Sequence, residues 1–148
     1  MEKTQLRRAV ALMLFCLSLG VYAADNKPLD ESPNETAYFL SASLPEKDLV
    51  PLIKAAEQHR LPVYFRGLIN NDMKQTANYI QYLVSKYQIA GINIDPLRFE
   101  RFGINKVPAL VKRCGEQFDV VFGNIALSQG LDIIARRGQC AGKYTVNR

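Results

Sequence analysis

Short apolar runs alternate along the chain with longer stretches in which apolar residues recur at helical spacing. Strands are predicted where the runs are continuous or alternate with polar residues, at residues 37–43, 61–66, 109–111 and 118–122. Helices are predicted after the first two strands and after the last one. The order β-α-β-α-(short β/α)-β-β-α predicts an α/β domain, with a central mixed sheet of about four strands flanked by helices.

Apolar stripes indicate which face of each predicted helix packs in the core. The three stripes comprise Leu49, Leu52, Ile53 and Ala56; Met73, Ala77, Ile80, Leu83, Val84 and Tyr87; and Leu127, Leu131, Ile134 and Ala135. At the first helix, Ser43 and Glu46 have the spacing of a capping box. Before the second helix, Gly67 permits an unusual turn, and Asn70 or Asn71 is expected to be the cap.

The segment from residue 95 to residue 111 has a distinctive local order. Asp95 followed by Pro96 predicts the start of a short helix, and Gly103 can adopt the left-handed conformation that ends it. Pro108 then directly precedes an apolar run. Because proline cannot donate a ladder hydrogen bond, Pro108 is expected at the first position of a strand.

The first 23 residues have the pattern of a secretory signal peptide. A basic start precedes a mostly apolar segment at residues 9–21, and cleavage is expected between Ala23 and Ala24. The alternative is a membrane anchor, but the apolar run is shorter than the roughly 20 residues that span a bilayer. We therefore expect a periplasmic protein without stable membrane insertion. Residues 24–36 are expected to be a flexible leader, residues 37–142 the domain and residues 143–148 a short tail.

The charge of the chain does not indicate a nucleic-acid-binding protein. The formal net charge is +5, and removal of the predicted signal peptide lowers it to about +3. No cluster of lysine and arginine with interleaved aromatic residues is present. We expect no nucleic-acid partner.

The cysteine count predicts one disulfide bond. Of the three cysteines, Cys16 falls in the predicted signal peptide, which leaves Cys114 and Cys140. Two cysteines in an exported chain of this size are expected to pair. The alternative is two free or redox-active thiols, but their separation rules out a C-x-x-C motif. The single histidine, His59, is far from both in sequence, so no metal site is expected, and no residue pattern indicates a cofactor.

The order of short helix, glycine, Ile-x-x-Val-Pro and strand resembles the thioredoxin-like fold. In that fold the corresponding proline follows a cis peptide bond and faces the substrate or partner site, which implies a cis bond before Pro108. The redox motif of thioredoxins stands where the first strand meets the first helix. Here that junction, residues 41–46, has no cysteine, and disulfide exchange requires a thiolate there.

Several residue strings resemble the TrbC family of F-type conjugative transfer systems. The strings are Ser41-x-Ser43-x-Pro45, Arg66-Gly67-Leu68-Ile69-Asn70-Asn71-Asp72, Ile94-Asp95-Pro96-x-x-Phe99, the segment from Phe102 to Val111, and the Cys114/Cys140 pair. The resemblance covers about residues 37–140. It implies a periplasmic, non-enzymatic pilus assembly factor of a type IV secretion system, with TraW-like and TraU-like partners. Family members often carry a longer N-terminal region than this chain does.

Two functional hypotheses remain alongside a weaker third. The first is a binding module that acts through protein–protein contacts, and the second is a divergent thiol-disulfide isomerase or redox chaperone. A free-standing ligand binder would require a deep apolar pocket. Residues 41–45 and 106–108 are expected to form one patch, while the loop at 66–72 lies beside it or at the opposite rim. The candidate partner-contact residues are Ser41, Ser43, Pro45, Arg66, Asn70, Asn71, Asp72 and Pro108.

Overall fold

The computed structural model describes residues 32–142, which contain five strands, four α-helices and one 3-10 turn. In chain order these are β1 (Asn34–Leu40), α1 (Glu46–Gln58), β2 (Val63–Phe65), the 3-10 turn (Ile69–Asn71), α2 (Met73–Tyr87), β3 (Ile92–Ile94), α3 (Pro96–Arg101), β4 (Ala109–Cys114), β5 (Gln117–Phe122) and α4 (Leu127–Arg137). The predicted signal peptide with its Ala23–Ala24 cleavage site, most of the leader and the tail at 143–148 lie outside the described residues.

The strands form one mixed sheet in the order β3-β2-β1-β4-β5. β1, β2 and β3 are mutually parallel, whereas β4 is antiparallel to both β1 and β5. The mixed α/β architecture predicted from the sequence is therefore confirmed, with five strands in place of about four. The fifth strand is residues 92–94, the short extended segment of the predicted order, which pairs along the whole of β2.

β1 begins at Asn34, so the predicted boundary between leader and domain at residue 37 is wrong. Residues 34–36 are polar, and the sequence pattern assigns them to the leader. In the structure they pair with residues 112–114 of β4. This long-range pairing outweighs the polar composition of the segment.

Successive residues of β1 contribute to two cores on opposite faces of the sheet, as strand geometry requires. Tyr38 and Leu40 pack with α1, α2 and α4 on one face. Ala37 and Phe39 pack with α3 on the other face. Phe39 lies at the centre of an aromatic cluster in this second core, where its ring is 4.9 Å from Phe99 and 5.8 Å from Phe102.

The predicted apolar stripe of α2 is only partly buried. Leu83 is in the core as predicted, but Met73, Ala77 and Val84 are exposed, with Met73 at 59%. The helix instead buries Thr76, whose hydroxyl donates to Asp72 O and accepts from Ile69 N. These two bonds satisfy the polar group, and the helix is consequently rotated away from the predicted stripe. Ala135 of α4 is likewise exposed, contrary to the prediction.

The local features predicted around Pro108 are confirmed. Asp95 caps α3 by accepting a hydrogen bond from Arg98 N at 3.1 Å. Gly103 has φ +62° just beyond the helix, where a left-handed conformation favours glycine. The Val107–Pro108 bond is cis, and β4 begins at the next residue.

A disulfide bond joins Cys114 at the end of β4 to Cys140 beyond α4, as predicted, and closes a separation of 26 residues. Next to it, the Asp119 carboxylate of β5 accepts hydrogen bonds from the backbone N–H groups of Gln139 and Cys140, both at 2.8 Å. The disulfide and this carboxylate together attach the end of α4 to the β4–β5 hairpin.

Candidate partner-binding site

The candidate residues cluster where β1, β2 and β3 end and β4 begins. Leu40 is in register with Phe65, and Phe65 is in register with Ile94. The residues that follow these strands, Ser41, Arg66 and Asp95, therefore lie along one edge of the sheet. The backbone of Asp95 reaches across to Phe65 O with a 3.2 Å hydrogen bond.

The loop at 66–72 lies beside the β1–α1 junction, which resolves the alternative that the sequence leaves open. The two segments line one open cavity of about 360 Å³. Its lining residues are Ser41, Ala42, Ser43, Arg66, Gly67, Leu68, Ile69 and Asn70. Four of the eight candidate contact residues are thus brought together in this cavity.

The β1–α1 junction is held by its serines rather than by the predicted capping box. Ser41 Oγ accepts from Ser43 N at 3.1 Å and from Ser43 Oγ at 2.9 Å. The residue preceding α1 is Pro45, which has no side-chain cap. The Glu46 carboxylate faces α2 instead, where it accepts from Tyr87 Oη and pairs with Lys86 Nζ at 2.9 Å. The Tyr87 hydrogen bond, followed by Lys86, holds the pKa of Glu46 below its usual range.

Asparagines, rather than Gly67, provide the unusual conformation of the 66–72 loop. Asn70 and Asn71 have φ of 50° and 57°, in the left-handed region that asparagine tolerates better than most residues. The predicted cap at one of these asparagines is wrong, because Asp72 caps α2 by accepting from Gln75 N at 3.0 Å. Asn71 and Asp72 therefore have evident structural roles, in the turn and in the cap.

A second, smaller cavity of about 260 Å³ opens on the other side of Arg66. Its lining residues are Arg66, Pro96, Phe99, Glu100, Gly103, Ile104 and Asn105. Arg66 is the one residue that the two cavities have in common, and its side chain is exposed.

Two arginines near this edge have contrasting environments. Arg98 is 8% exposed, pairs with Asp95 at 3.0 Å and with Glu35, and lies 4.5 Å from the centre of the Tyr64 ring. Arg66 forms no ion pair with any residue between 32 and 142. Asp95, which follows the neighbouring strand β3, is paired with Arg98. Arg66 is therefore available to an anionic group from outside the domain.

Pro108 belongs to the same edge but is buried. Continuing the β1–β4 register by one residue beyond Phe39 and Ala109 brings Pro108 beside Leu40, next to the β1–α1 junction. Pro108 thus lies next to the β1–α1 junction, whereas a single patch of residues 41–45 and 106–108 stays a prediction. However, Pro108 is not a lining residue of either cavity, and its carbonyl is used by Gly123 N at 2.9 Å.

The structure adds apolar residues that the sequence did not single out as contact residues. Leu68 and Ile69 line the first cavity, and Phe99 and Ile104 line the second. In the sequence, Phe99 and Ile104 fall only within the strings that resemble the TrbC family. The sequence could have indicated these four residues by their position after parallel strands, since ligands bind at the carboxyl ends of such strands.

Neither a metal-binding group nor a membrane-spanning helix is found in the part of the chain that the structure describes. No group of three or more histidine, cysteine, aspartate or glutamate side chains is arranged to hold a metal ion between residues 32 and 142. Within the same range, none of the helices has the length and apolar character needed to cross a bilayer.

Comparison with known proteins identifies clear relatives. Residues 38–134 match the family model described as type-F conjugative transfer system pilin assembly protein. The periplasmic protein TrbC of Escherichia coli (strain K12) is 38% identical over 112 residues, which is 75% of this chain and 53% of that protein. The chain therefore spans about half the length of this relative.

A solved structure supports the fold assignment. StoA from Bacillus subtilis, a thioredoxin-like protein, superposes with a TM-score of 0.50 over 70% of this chain and 84% of its own. The two sequences are 11% identical, so the likeness shows the fold alone.

Proposed function

The chain belongs to the TrbC family of pilin assembly proteins from type-F conjugative transfer systems, and we propose that it is a periplasmic, non-enzymatic assembly factor for the conjugative pilus. It acts through protein–protein contacts at the sheet edge formed by Ser41, Ser43, Arg66 and Asn70. The E. coli relative carries the name periplasmic protein TrbC, and the N-terminal sequence of this chain fits export. N-terminal sequencing of protein recovered from the periplasm should begin at Ala24. An intact Met1 in the membrane fraction would contradict export by cleavage.

One structural observation carries most weight for a non-enzymatic role. The junction where a thioredoxin-like enzyme needs its thiolate has Ser41 and Ser43 instead. Cys114 is in register with Asn34, the first residue of the seven-residue strand β1, whereas Ser41 follows the last. The disulfide is therefore about 20 Å from the site, given the rise of a strand. A contact role needs no thiol, and the cavities beside Arg66 offer apolar and polar surface for a partner.

The partners that we propose are TraW-like and TraU-like proteins of the same transfer system. Affinity-tagged protein should retain them when it is purified from the periplasm of cells that carry the transfer genes. Arg66→Ala should reduce both this co-purification and pilus assembly. Because Arg66 is exposed and forms no ion pair within residues 32–142, its replacement should leave the free energy of unfolding within about 0.5 kcal/mol.

Arg137→Ala is the matched control, since Arg137 is an exposed arginine in the last turn of α4. Its removal changes the net charge by the same amount at the end of the domain that carries the disulfide. Partner retention by Arg137→Ala together with loss by Arg66→Ala supports the site. Full retention by a folded Arg66→Ala variant would overturn it.

A further inference from the structure

The two cavities that meet at Arg66 differ in their charged lining residues, because the second has Glu100 and the first has no acidic residue. Ser41, Ser43 and Asn70 line the first cavity together with the apolar Leu68 and Ile69. Phe99 and Ile104, which are 2% and 3% exposed, form part of the wall of the second, together with the exposed Glu100. We infer that Arg66 binds the carboxylate of an acidic residue in an extended segment of a partner protein, while the adjacent apolar side chain enters the second cavity. This inference rests on the proposed function, because it assumes that the edge contacts a protein.

Charge complementarity is the first argument for an acidic residue. The guanidinium group of Arg66 is exposed and forms no ion pair within residues 32–142. Asp95, beside it on the sheet edge, accepts from both the backbone and the side chain of Arg98. Asp95 is thus engaged with Arg98, and Arg66 forms no ion pair with Asp95 or Glu100. A partner carboxylate can pair with the exposed Arg66.

The position of Glu100 determines on which side of Arg66 the carboxylate lies. Glu100 is exposed at the second cavity and forms no ion pair with the described residues. Two carboxylates in that small cavity would repel each other. The first cavity has no acidic lining residue, and the Ser41 and Ser43 hydroxyls lie in its wall. The partner carboxylate is consequently held on the serine side of Arg66, with the apolar residue on the Phe99 side.

The scaffold around Arg66 is suitable for bidentate recognition. Arginine presents a planar fork of donors that matches both oxygens of a carboxylate, which lysine cannot reproduce. Arg66 directly follows β2, whose three residues are all buried. The loop after it is fixed by the hydrogen bond from Ile69 N to Thr76 Oγ1 at 2.8 Å. The Arg66 backbone is therefore anchored from both sides.

The open shape of the two cavities, rather than their volume, favours a peptide segment over a free small molecule. Sites that enclose small molecules measure about 300–1,000 Å³ and bury most of the ligand. The two cavities here measure about 360 and 260 Å³ and are both open. Each is suited to one or two side chains of a larger partner whose backbone passes over Arg66.

Titration of the ¹⁵N-labelled mature protein with defined peptides tests this inference by NMR. The probes are capped tripeptides Ser-Asp-Leu and Leu-Asp-Ser, with Ser-Asn-Leu, Leu-Asn-Ser and free acetate as controls. At least one aspartate peptide should shift the amides of residues 41–43, 66–70 and 99–105. It should bind about tenfold more tightly than its asparagine counterpart, since a hydrogen-bonded charge is replaced by a neutral amide. Arg66→Gln should remove this difference, Arg66→Lys should retain part of it, and Arg137→Gln should leave it unchanged.

Equal binding of the aspartate and asparagine peptides, or shifts outside these residues, would overturn the inference. So would acetate binding as tightly as the aspartate peptides, because the site would then recognise a free anion only. Co-purification distinguishes this failure from failure of the proposed function. If no peptide binds but Arg66→Ala still loses its transfer-system partners, the contact site stands and carboxylate recognition is wrong. If an aspartate peptide binds at Arg66 but Arg66→Ala retains every partner, this edge is not the surface through which the protein contacts its transfer-system partners.

Discussion

Replacing Arg98 tests the buried charge network that fixes α3 beside the second cavity. Arg98 pairs with Glu35 and Asp95, and its side chain and that of Glu35 are only 9% and 15% exposed. Glu35 also accepts from Tyr64 Oη at 3.0 Å, which connects β1 and β2 to this network. Arg98→Met keeps much of the aliphatic stem but leaves two carboxylates without their cation.

The expected loss is about 3 kcal/mol of unfolding free energy. Removing one partner of a buried pair costs about 3–5 kcal/mol, and the lower end applies because Asp95 remains 33% exposed. In urea denaturation followed by circular dichroism, this loss corresponds to a midpoint shift of roughly 1–2 M. Arg136→Met is the control, since Arg136 and Asp132 form an ion pair whose side chains are 75% and 52% exposed. That variant should lose less than about 0.5 kcal/mol.

A loss below about 1 kcal/mol for Arg98→Met would refute this reasoning. The double variant Glu35→Gln/Arg98→Met adds a second check. Because the two residues are in contact, its loss should be smaller than the sum of the two single losses. Additive losses would mean that the pair is not coupled in the folded protein.

Three further predictions concern stability, pH and chemistry. Replacing Cys114 and Cys140 together with serine should cost roughly 3–4 kcal/mol for a loop of this length, and an unchanged urea midpoint would contradict a stabilising disulfide. Glu46 has a lowered pKa in the folded protein, so its contribution to stability is present above its usual pKa and is lost as the pH falls through the lowered value. Tyr87→Phe should raise the pKa of Glu46 in a carboxyl ¹³C NMR titration, and an unshifted curve would contradict the Tyr87 contact. Insulin reduction should proceed at the uncatalysed rate, and cysteine-dependent turnover would instead favour the redox alternative.

A further prediction compares two glycines. A methyl group at Gly138 would lie 2.4 Å from Asp119 Oδ2 and 2.6 Å from Ile134 O, whereas nothing lies within 4 Å at Gly67. Gly138→Ala should therefore cost about 1–3 kcal/mol through displacement of the Asp119 contacts, and Gly67→Ala less than about 0.5 kcal/mol. Equal thermal midpoints for the two variants would contradict the close packing at Gly138.

Features governed by neighbouring residues were the most predictable from the sequence. The α3 segment is an example, because Asp95, Pro96 and Gly103 act within one or two turns of the chain. Features that depend on distant partners were not. The strand start at Asn34 depends on pairing with Cys114, and the orientation of Glu46 depends on Tyr87. Neither partner can be inferred from local composition.

In the candidate site, too, only part of the arrangement could be predicted from the sequence. Ser41, Ser43, Arg66 and Asn70 were identified from the sequence, and the structure brings them to one cavity. The second cavity could not be predicted, because it depends on how α3 and its following loop pack beside β2. The helix cap was assigned to Asn70 or Asn71 because either residue type can cap, and only the backbone shows that Asp72 does so.

Site-specific photocrosslinking in the periplasm tests directly whether the first cavity contacts other proteins of the transfer system. A photoreactive amino acid is placed at Ser43 or Asn70, which are exposed at the first cavity, and at Arg137 as the control. Cells that carry the transfer genes are irradiated, and the crosslinked products are identified by mass spectrometry. Crosslinks to other transfer-system proteins are expected from positions 43 and 70, and none from position 137. Crosslinks from position 137 alone, with none from the cavity positions, would contradict this expectation.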